Sequence, residues 1–140
     1  MTETLSHDRG PDTPPLREIT IGEAFDDAVR RWPDQDALVC AEQGIRWTYA
    51  EMSGRVDAVA GALLALGLEP GDRVGIWAPN CAEWTLIQFA TAKAGLILVN
   101  INPAYRTEEL AFTLNKVGVK CLVTCAPFKT TDYVAMIREL

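Results

Sequence analysis

The sequence has almost no histidine and almost no serine. Its one histidine is His7, and its only serines are Ser6 and Ser53. His7 lies among charges and prolines, where nothing holds an imidazole in position. Neither serine sits in a Gly-x-Ser-x-Gly elbow. A Ser-His-Asp or Cys-His nucleophile is therefore disfavoured. The same shortage works against zinc. The four cysteines, Cys40, Cys81, Cys121 and Cys125, have no histidine at ligand spacing, so the sequence predicts free, buried thiols rather than a metal site. Cys121 and Cys125 are expected on one side of a strand. Nothing in this cysteine usage requires an oxidising compartment.

Other absences narrow the field further. No Gly-x-Gly-x-x-Gly follows a strand, and no Gly-x-x-x-x-Gly-Lys occurs, so neither the dinucleotide fingerprint nor a P-loop is present. No apolar run reaches the ~18–20 residues of a membrane span. Met1 to Arg17 has charges and prolines but no apolar block, unlike a secretory signal. The expected location is the cytoplasm. Basic charge is in deficit: 19 acids against 13 bases give a net charge of −6. Nucleic acid would call for a basic face, and an anionic membrane surface for a basic patch, so neither is expected as a partner.

What remains is ordinary globular material. The chain has 140 residues, 49% hydrophobic and 23% charged, enough to bury a core. Residues 1–19 read as a flexible tail, with Pro11, Pro14 and Pro15 among polar residues. Order is expected over 20–140. Thr20 and Glu23 form a capping box for a helix with Phe25, Ala28, Val29 and Trp32 on one face, ended by Pro33. Ala37–Ala41 and Ile45–Trp47 flank Glu42-Gln43-Gly44 as a hairpin. A second box, Thr48 and Glu51, opens a helix to about Leu66 with Met52, Val56, Val59, Ala60 and Leu63 as its apolar stripe. Gly67 is a left-handed stop, and Glu69-Pro70-Gly71-Asp72 suits a type II turn.

From there the pattern alternates. Arg73–Ala78 reads as a strand, and Asn80 with Glu83 as the start of a helix over Cys81–Ala94. Gly95 stops that helix, and Leu96–Val99 is a continuous apolar strand of the kind buried on both faces. Thr107 is expected to cap a helix lined by Leu110, Ala111, Leu114 and Val117. Gly118 ends it, Cys121–Thr124 is a strand, and a last helix runs from Thr131 to Leu140. The predicted fold class is α/β: an open, mostly parallel sheet with helices on both faces, plus a small N-terminal hairpin. In such sheets ligands gather outside the carboxyl ends of the strands. The candidate positions are Ala78–Asn80, Ile101–Arg106 and Thr124–Lys129.

Few residues there demand chemistry. Glu23, Glu51, Glu83, Glu108 and Glu109 fit helix starts, and Asp72 fits a turn. Asn80 stands where ligands gather, yet an N-cap explains it better. Tyr105 and Arg106 could line a cleft, and Arg106 could meet a phosphate or carboxylate, although an ion pair with a nearby acid is the simpler reading. Trp47, Trp77 and Trp84 read as core rather than as a stacking platform.

Two segments carry a resemblance. Trp47-Thr48-Tyr49-Ala50-Glu51-Met52 and Lys93-Ala94-Gly95-Leu96-Ile97-Leu98-Val99-Asn100 are similar to the first two core motifs of the adenylate-forming enzymes. Gly71-Asp72-Arg73-Val74-Gly75-Ile76-Trp77-Ala78-Pro79-Asn80 and Asn100-Ile101-Asn102-Pro103-Ala104-Tyr105-Arg106 resemble the fatty-acyl-CoA synthetases in particular. The likeness covers roughly residues 20–140 in one register. It implies a fold, the N-terminal part of an AMP-binding domain, and a reaction. A carboxylate attacks the α-phosphate of ATP, and coenzyme A then displaces AMP to give a thioester, with Mg²⁺ holding phosphate charge.

The family's phosphate loop, nucleotide contacts and catalytic lysine have no match in this sequence. No catalytic, cofactor-binding or metal residue is therefore assigned to it. The expectation is an N-terminal fragment, inactive alone, that reaches fatty acid, ATP and coenzyme A only through the remainder of the enzyme and binds none of them tightly. Association through exposed apolar surface is expected as well. Two alternatives stay open: a ligase of the same superfamily acting on an aryl or amino acid, and a non-catalytic α/β interaction module.

Overall fold

A computed structural model describes residues 10, 11, 13–127 and 131–140. His7, Phe128 and Lys129 lie outside the described residues. The elements are α1 (Ile21–Arg31), β1 (Asp36–Cys40), a 3-10 turn (Ala41–Gln43), β2 (Ile45–Thr48), α2 (Tyr49–Ala65), β3 (Arg73–Trp77), α3 (Ala82–Lys93), β4 (Ile97–Asn100), α4 (Thr107–Val117), β5 (Cys121–Thr124) and α5 (Tyr133–Arg138).

The expected α/β class is what the chain adopts. β1 and β2 form an antiparallel hairpin, and β4, β3 and β5 form a separate parallel sheet in that order. Local signals explain most boundaries. Both Thr/Glu capping boxes are made, the Thr20 side chain accepting from the Glu23 N–H at 3.1 Å and Thr48 from Glu51 at 3.2 Å. Gly67, Gly71, Gly95 and Gly118 all take positive φ where a stop or turn needs it. At Gly71 this completes the type II turn, whose Asp72 N–H donates to the Glu69 carbonyl at 2.9 Å.

Alternation along β3 builds two cores. Val74 and Ile76 face α1, α2 and α3, where Phe25, Met52, Val56, Leu63, Ile87 and Ala90 are buried. Phe25 stacks on Phe89 with ring centroids 4.5 Å apart. Gly75 and Trp77 face the opposite side, where Trp77, Ile101, Leu110 and Tyr133 form the second core under α4 and α5. Consecutive crossovers thus run on opposite faces of one sheet, as right-handed connections require when the order turns back across β3.

Several expectations shift. The strand expected at Leu96–Val99 lies at Ile97–Asn100, at one edge of the sheet; Leu98 packs toward one core and Val99 toward the other, while Ile97 is 46% exposed. Trp32 falls on the C-cap of α1 rather than on its buried face and is also exposed, although it still leans on Tyr49. Only Leu110 of the α4 stripe is fully buried. The last helix is shorter than expected and starts behind Asp132, whose side chain accepts from the Ala135 N–H at 2.9 Å.

One lysine ties three helices. The Lys93 ammonium at the end of α3 meets Asp26 of α1 at 2.9 Å and Asp57 of α2 at 2.5 Å. Both acids keep much of their exposure, so Lys93→Met should cost no more than about 1 kcal/mol. Urea titrations at low and high salt check this, and the penalty should shrink as salt screens the pairs.

Candidate functional site

In a doubly wound sheet the crevice opens where the strand order reverses. Here that point is the gap between the ends of β3 and β5. Trp77 pairs with Thr124 across it, and the Thr124 hydroxyl donates to the Trp77 carbonyl at 2.9 Å. A cavity of about 560 Å³ lies beyond, between the hairpin turn, the end of β3, the start of α3 and the end of β5. Its floor is apolar, with Ile76, Ala78, Trp84, Ile87 and Val123. Its rim carries Cys40, Glu42, Gln43, Asn80, Cys81, Glu83 and the Thr124–Pro127 segment.

The structure brings together two of the three expected positions, Ala78–Asn80 and the described part of Thr124–Lys129. It does not bring in the third. Ile101–Arg106 leaves β4 on the far side of β3. There the Asn102 carbonyl accepts from the Trp77 indole at 3.1 Å, and the Asn102 side chain accepts from the Ala104 N–H at 3.0 Å. Tyr105 borders a shallow groove with Glu108, Glu109, Phe112 and Thr113. Arg106 is exposed and makes no ion pair among the described residues; instead its backbone N–H donates to Glu109 at 2.7 Å. Thr107 is therefore the first residue of α4 and not its cap, and its hydroxyl donates to Glu139 at 3.0 Å.

The Asn80 reading is also corrected. The N-cap of α3 is Cys81, whose side chain makes no cap hydrogen bond, and Asn80 is exposed. The cap comes from across the cavity. Gln43 Oε1 accepts from the Ala82 N–H at 2.7 Å and from the Cys40 thiol at 3.1 Å, while Gln43 Nε2 donates to Glu83 at 2.9 Å. One amide thus satisfies an orphan donor of α3, fixes the hairpin turn and neutralises nothing, since it carries no charge. No local pattern announces it, because donor and acceptor are 39 residues apart.

Electrostatics follow from this clasp. The Gln43 amide, then the residue's own N–H, hold the Glu83 carboxyl below its ordinary range. Burial, with the Glu83 carboxylate adding to it, pushes the Cys81 thiol up. Burial raises Cys125 as well. The rim is thus carboxylate and neutral thiol over an apolar floor. Such a lining suits an apolar group better than an anion. Among the described residues no cluster of histidine, cysteine or acid is arranged to hold a metal ion, and no helix is long and apolar enough to cross a membrane.

Gln43→Ala should remove the cap and cost about 1 kcal/mol at neutral pH. The Glu83 part has a defined sign. A depressed folded-state value adds stability above the ordinary carboxylate range and loses it as pH falls through the folded value. The penalty measured by urea titration should therefore shrink at acid pH to the charge-independent cap alone.

The architecture defines an α/β segment with its crevice at a topological switch point. The chain belongs to the AMP-binding enzyme family, which matches residues 25–140. Among its relatives, the medium-chain acyl-CoA ligase ACSF2, mitochondrial, of Danio rerio is 45% identical over 139 residues, 99% of this chain and 23% of that protein. The putative acyl-CoA synthetase YngI of Bacillus subtilis is 36% identical over 89% of this chain and 23% of its own length. The crystal structure of the N-terminal domain of FACL13 from Mycobacterium tuberculosis superposes with a TM-score of 0.80 at 30% identity, covering 86% of this chain and 30% of that one. The chain thus spans about a quarter of the curated relatives it matches.

Proposed function

We propose that this chain forms the N-terminal segment of an ATP-dependent fatty-acid–CoA ligase. The observation that carries the reading is the 45% identity to a medium-chain acyl-CoA ligase across nearly the whole chain. The parent protein would use ATP, Mg²⁺ and coenzyme A, and would form an acyl-adenylate and then a thioester. This segment supplies scaffold: the sheet ends, the clasped hairpin and the apolar crevice. No step of the reaction is assigned to its side chains, and the exposed edge strand β4 is surface for association with the rest of the protein.

A second reading has one observation in its favour. The N-terminal subdomain of Klebsiella oxytoca NpsA, in complex with 3-hydroxybenzoyl-AMSN, superposes with a TM-score of 0.70 at 26% identity. An aryl acid is therefore the rival substrate class. Acid-dependent exchange of pyrophosphate into ATP, run on the parent protein across aliphatic and aryl acids, separates the two. Exchange confined to aryl acids would overturn the fatty-acid reading. The purified 140-residue chain should release no AMP with any acid in the same panel, and turnover by it would show that the segment carries catalytic groups. The proposed compartment is the cytoplasm, although several relatives are named as mitochondrial. Fractionation of cells expressing the parent protein decides it.

A further inference from the structure

Three of the four cysteines, Cys40, Cys81 and Cys125, line the one cavity at the switch point. All are free. The fourth, Cys121, packs beneath α2 and α3, where core burial accounts for it. Core burial accounts less well for the other three, which stand half-buried around an opening.

Their placement is specific. Beyond the paired Trp77 and Thr124, the next residues on each strand are Ala78 and Cys125, and both pack with Ile76 and Ile87 in one cluster. Cys81 opens the helix that carries Ile87. Cys81 and Cys125 both line the cavity, one beyond the end of β3 and one beyond the end of β5, and Cys125 also packs against the second core. Cys40 is held differently, with its thiol donating to the Gln43 amide. Cys81 stands at the N-cap of α3. It sits outside the ladder of α3 in extended conformation, and its side chain makes no cap hydrogen bond.

We propose that Cys81 and Cys125 form a dithiol that oxidises to an intramolecular disulfide, a redox-modification site at the mouth of the crevice. The co-reactant is a low-molecular-weight disulfide such as oxidised glutathione. The thiolate of one cysteine attacks a sulfur of the oxidant and expels one glutathione thiolate, leaving a mixed disulfide. The second cysteine's thiolate then attacks the protein sulfur, closes the protein disulfide and expels the second glutathione. Two protein thiols are oxidised, the oxidant is reduced to two thiols, and each proton lost from the protein ends on a glutathione. The new bond ties the end of β5 to the start of α3 and draws the rim across the floor. It closes only if the two Cα atoms come within roughly 7 Å.

Burial keeps both thiols protonated at neutral pH, so closure is slow there and faster in mild alkali. The test incubates the folded chain with oxidised glutathione, quenches with acid and reads intact mass and a non-reducing peptide map. The expected product is lighter by two hydrogens, joins the Cys81 and Cys125 peptides, and reverts with dithiothreitol. C40S and C121S should still form it. C81S and C125S should lose it and instead carry one glutathione, with circular dichroism confirming that they are folded. A dominant Cys40–Cys81 link, a link between chains, or glutathione on both cysteines without an internal bond would overturn the assignment. So would the same pairing formed equally fast in urea, because folding would then play no part in it.

Discussion

Trp77→Ala should lower the stability of the chain by about 3–5 kcal/mol in a urea titration. Trp77 is fully buried on the central strand. Its ring meets Tyr133 edge-on with centroids 4.6 Å apart and an interplanar angle of 85°, and its indole N–H donates to the Asn102 carbonyl at 3.1 Å. Truncation therefore does three things at once. It opens a cavity in the smaller of the two cores, removes an aromatic pair worth about 0.5–1.5 kcal/mol beyond its area, and leaves a part-buried carbonyl without its partner.

The surroundings cannot close that hole easily. Ile101 and Leu110 are held by the strand exit and by α4, and Tyr133 donates to the Pro103 carbonyl at 3.4 Å. Trp77→Phe separates the contributions. It keeps most of the ring and loses the hydrogen bond, so it should cost about 1–2 kcal/mol. Equal losses for the two variants would mean that the indole N–H, and not the filled volume, fixes the loop after β4. A loss under 1 kcal/mol for Trp77→Ala would mean that α5 does not pack in solution as it does here.

Trp77 also shows what the sequence makes legible. Its position in a strand of an α/β chain predicts core, and core is what it is. The two Thr/Glu boxes, the glycine stops and the turn at Pro70-Gly71 were equally readable, because each is a contact between residues three or four apart. The class followed from the alternation of these pieces, and the family from the motif register around Trp47 and Lys93. The errors share a cause. Asn80 and Thr107 both have types that favour a cap, but type alone sees neither an acceptor arriving from another element nor a helix that starts one residue earlier. Gln43 takes the cap of α3 from the hairpin, and Glu109 takes the Arg106 N–H. The edge position of β4 was also invisible, since an apolar run does not say which strand ends the sheet. The crevice was half legible. The strand ends can be read from the sequence, yet only the strand order decides that β3 and β5 share an opening and that β4 does not.

The strand order also decides the second large effect. Gly75 lies at the middle of β3, paired with Val99 on one side and Leu122 on the other. Its φ is not positive, so no backbone requirement explains the glycine. Space does. An added Cβ would stand 3.1 Å from Ile101 Cδ1, 3.1 Å from Leu122 Cδ1 and 3.2 Å from Val119 Cγ1. All three atoms are the ends of side chains, so Gly75→Ala can be absorbed by small rotations, and its gain in strand propensity partly offsets the crowding. Gly75→Val cannot be absorbed in that way. Its two further methyls enter the same space, and β3 has a neighbour on each side and cannot slide. The propensity gain of Val is at most about 1 kcal/mol, against an overpacking cost of about 1–3 kcal/mol or more. The valine variant should therefore be the less stable by urea titration, with alanine near the wild type. A valine variant more stable than the wild type would show that the packing of Ile101, Val119 and Leu122 over β3 is looser than the structure has it.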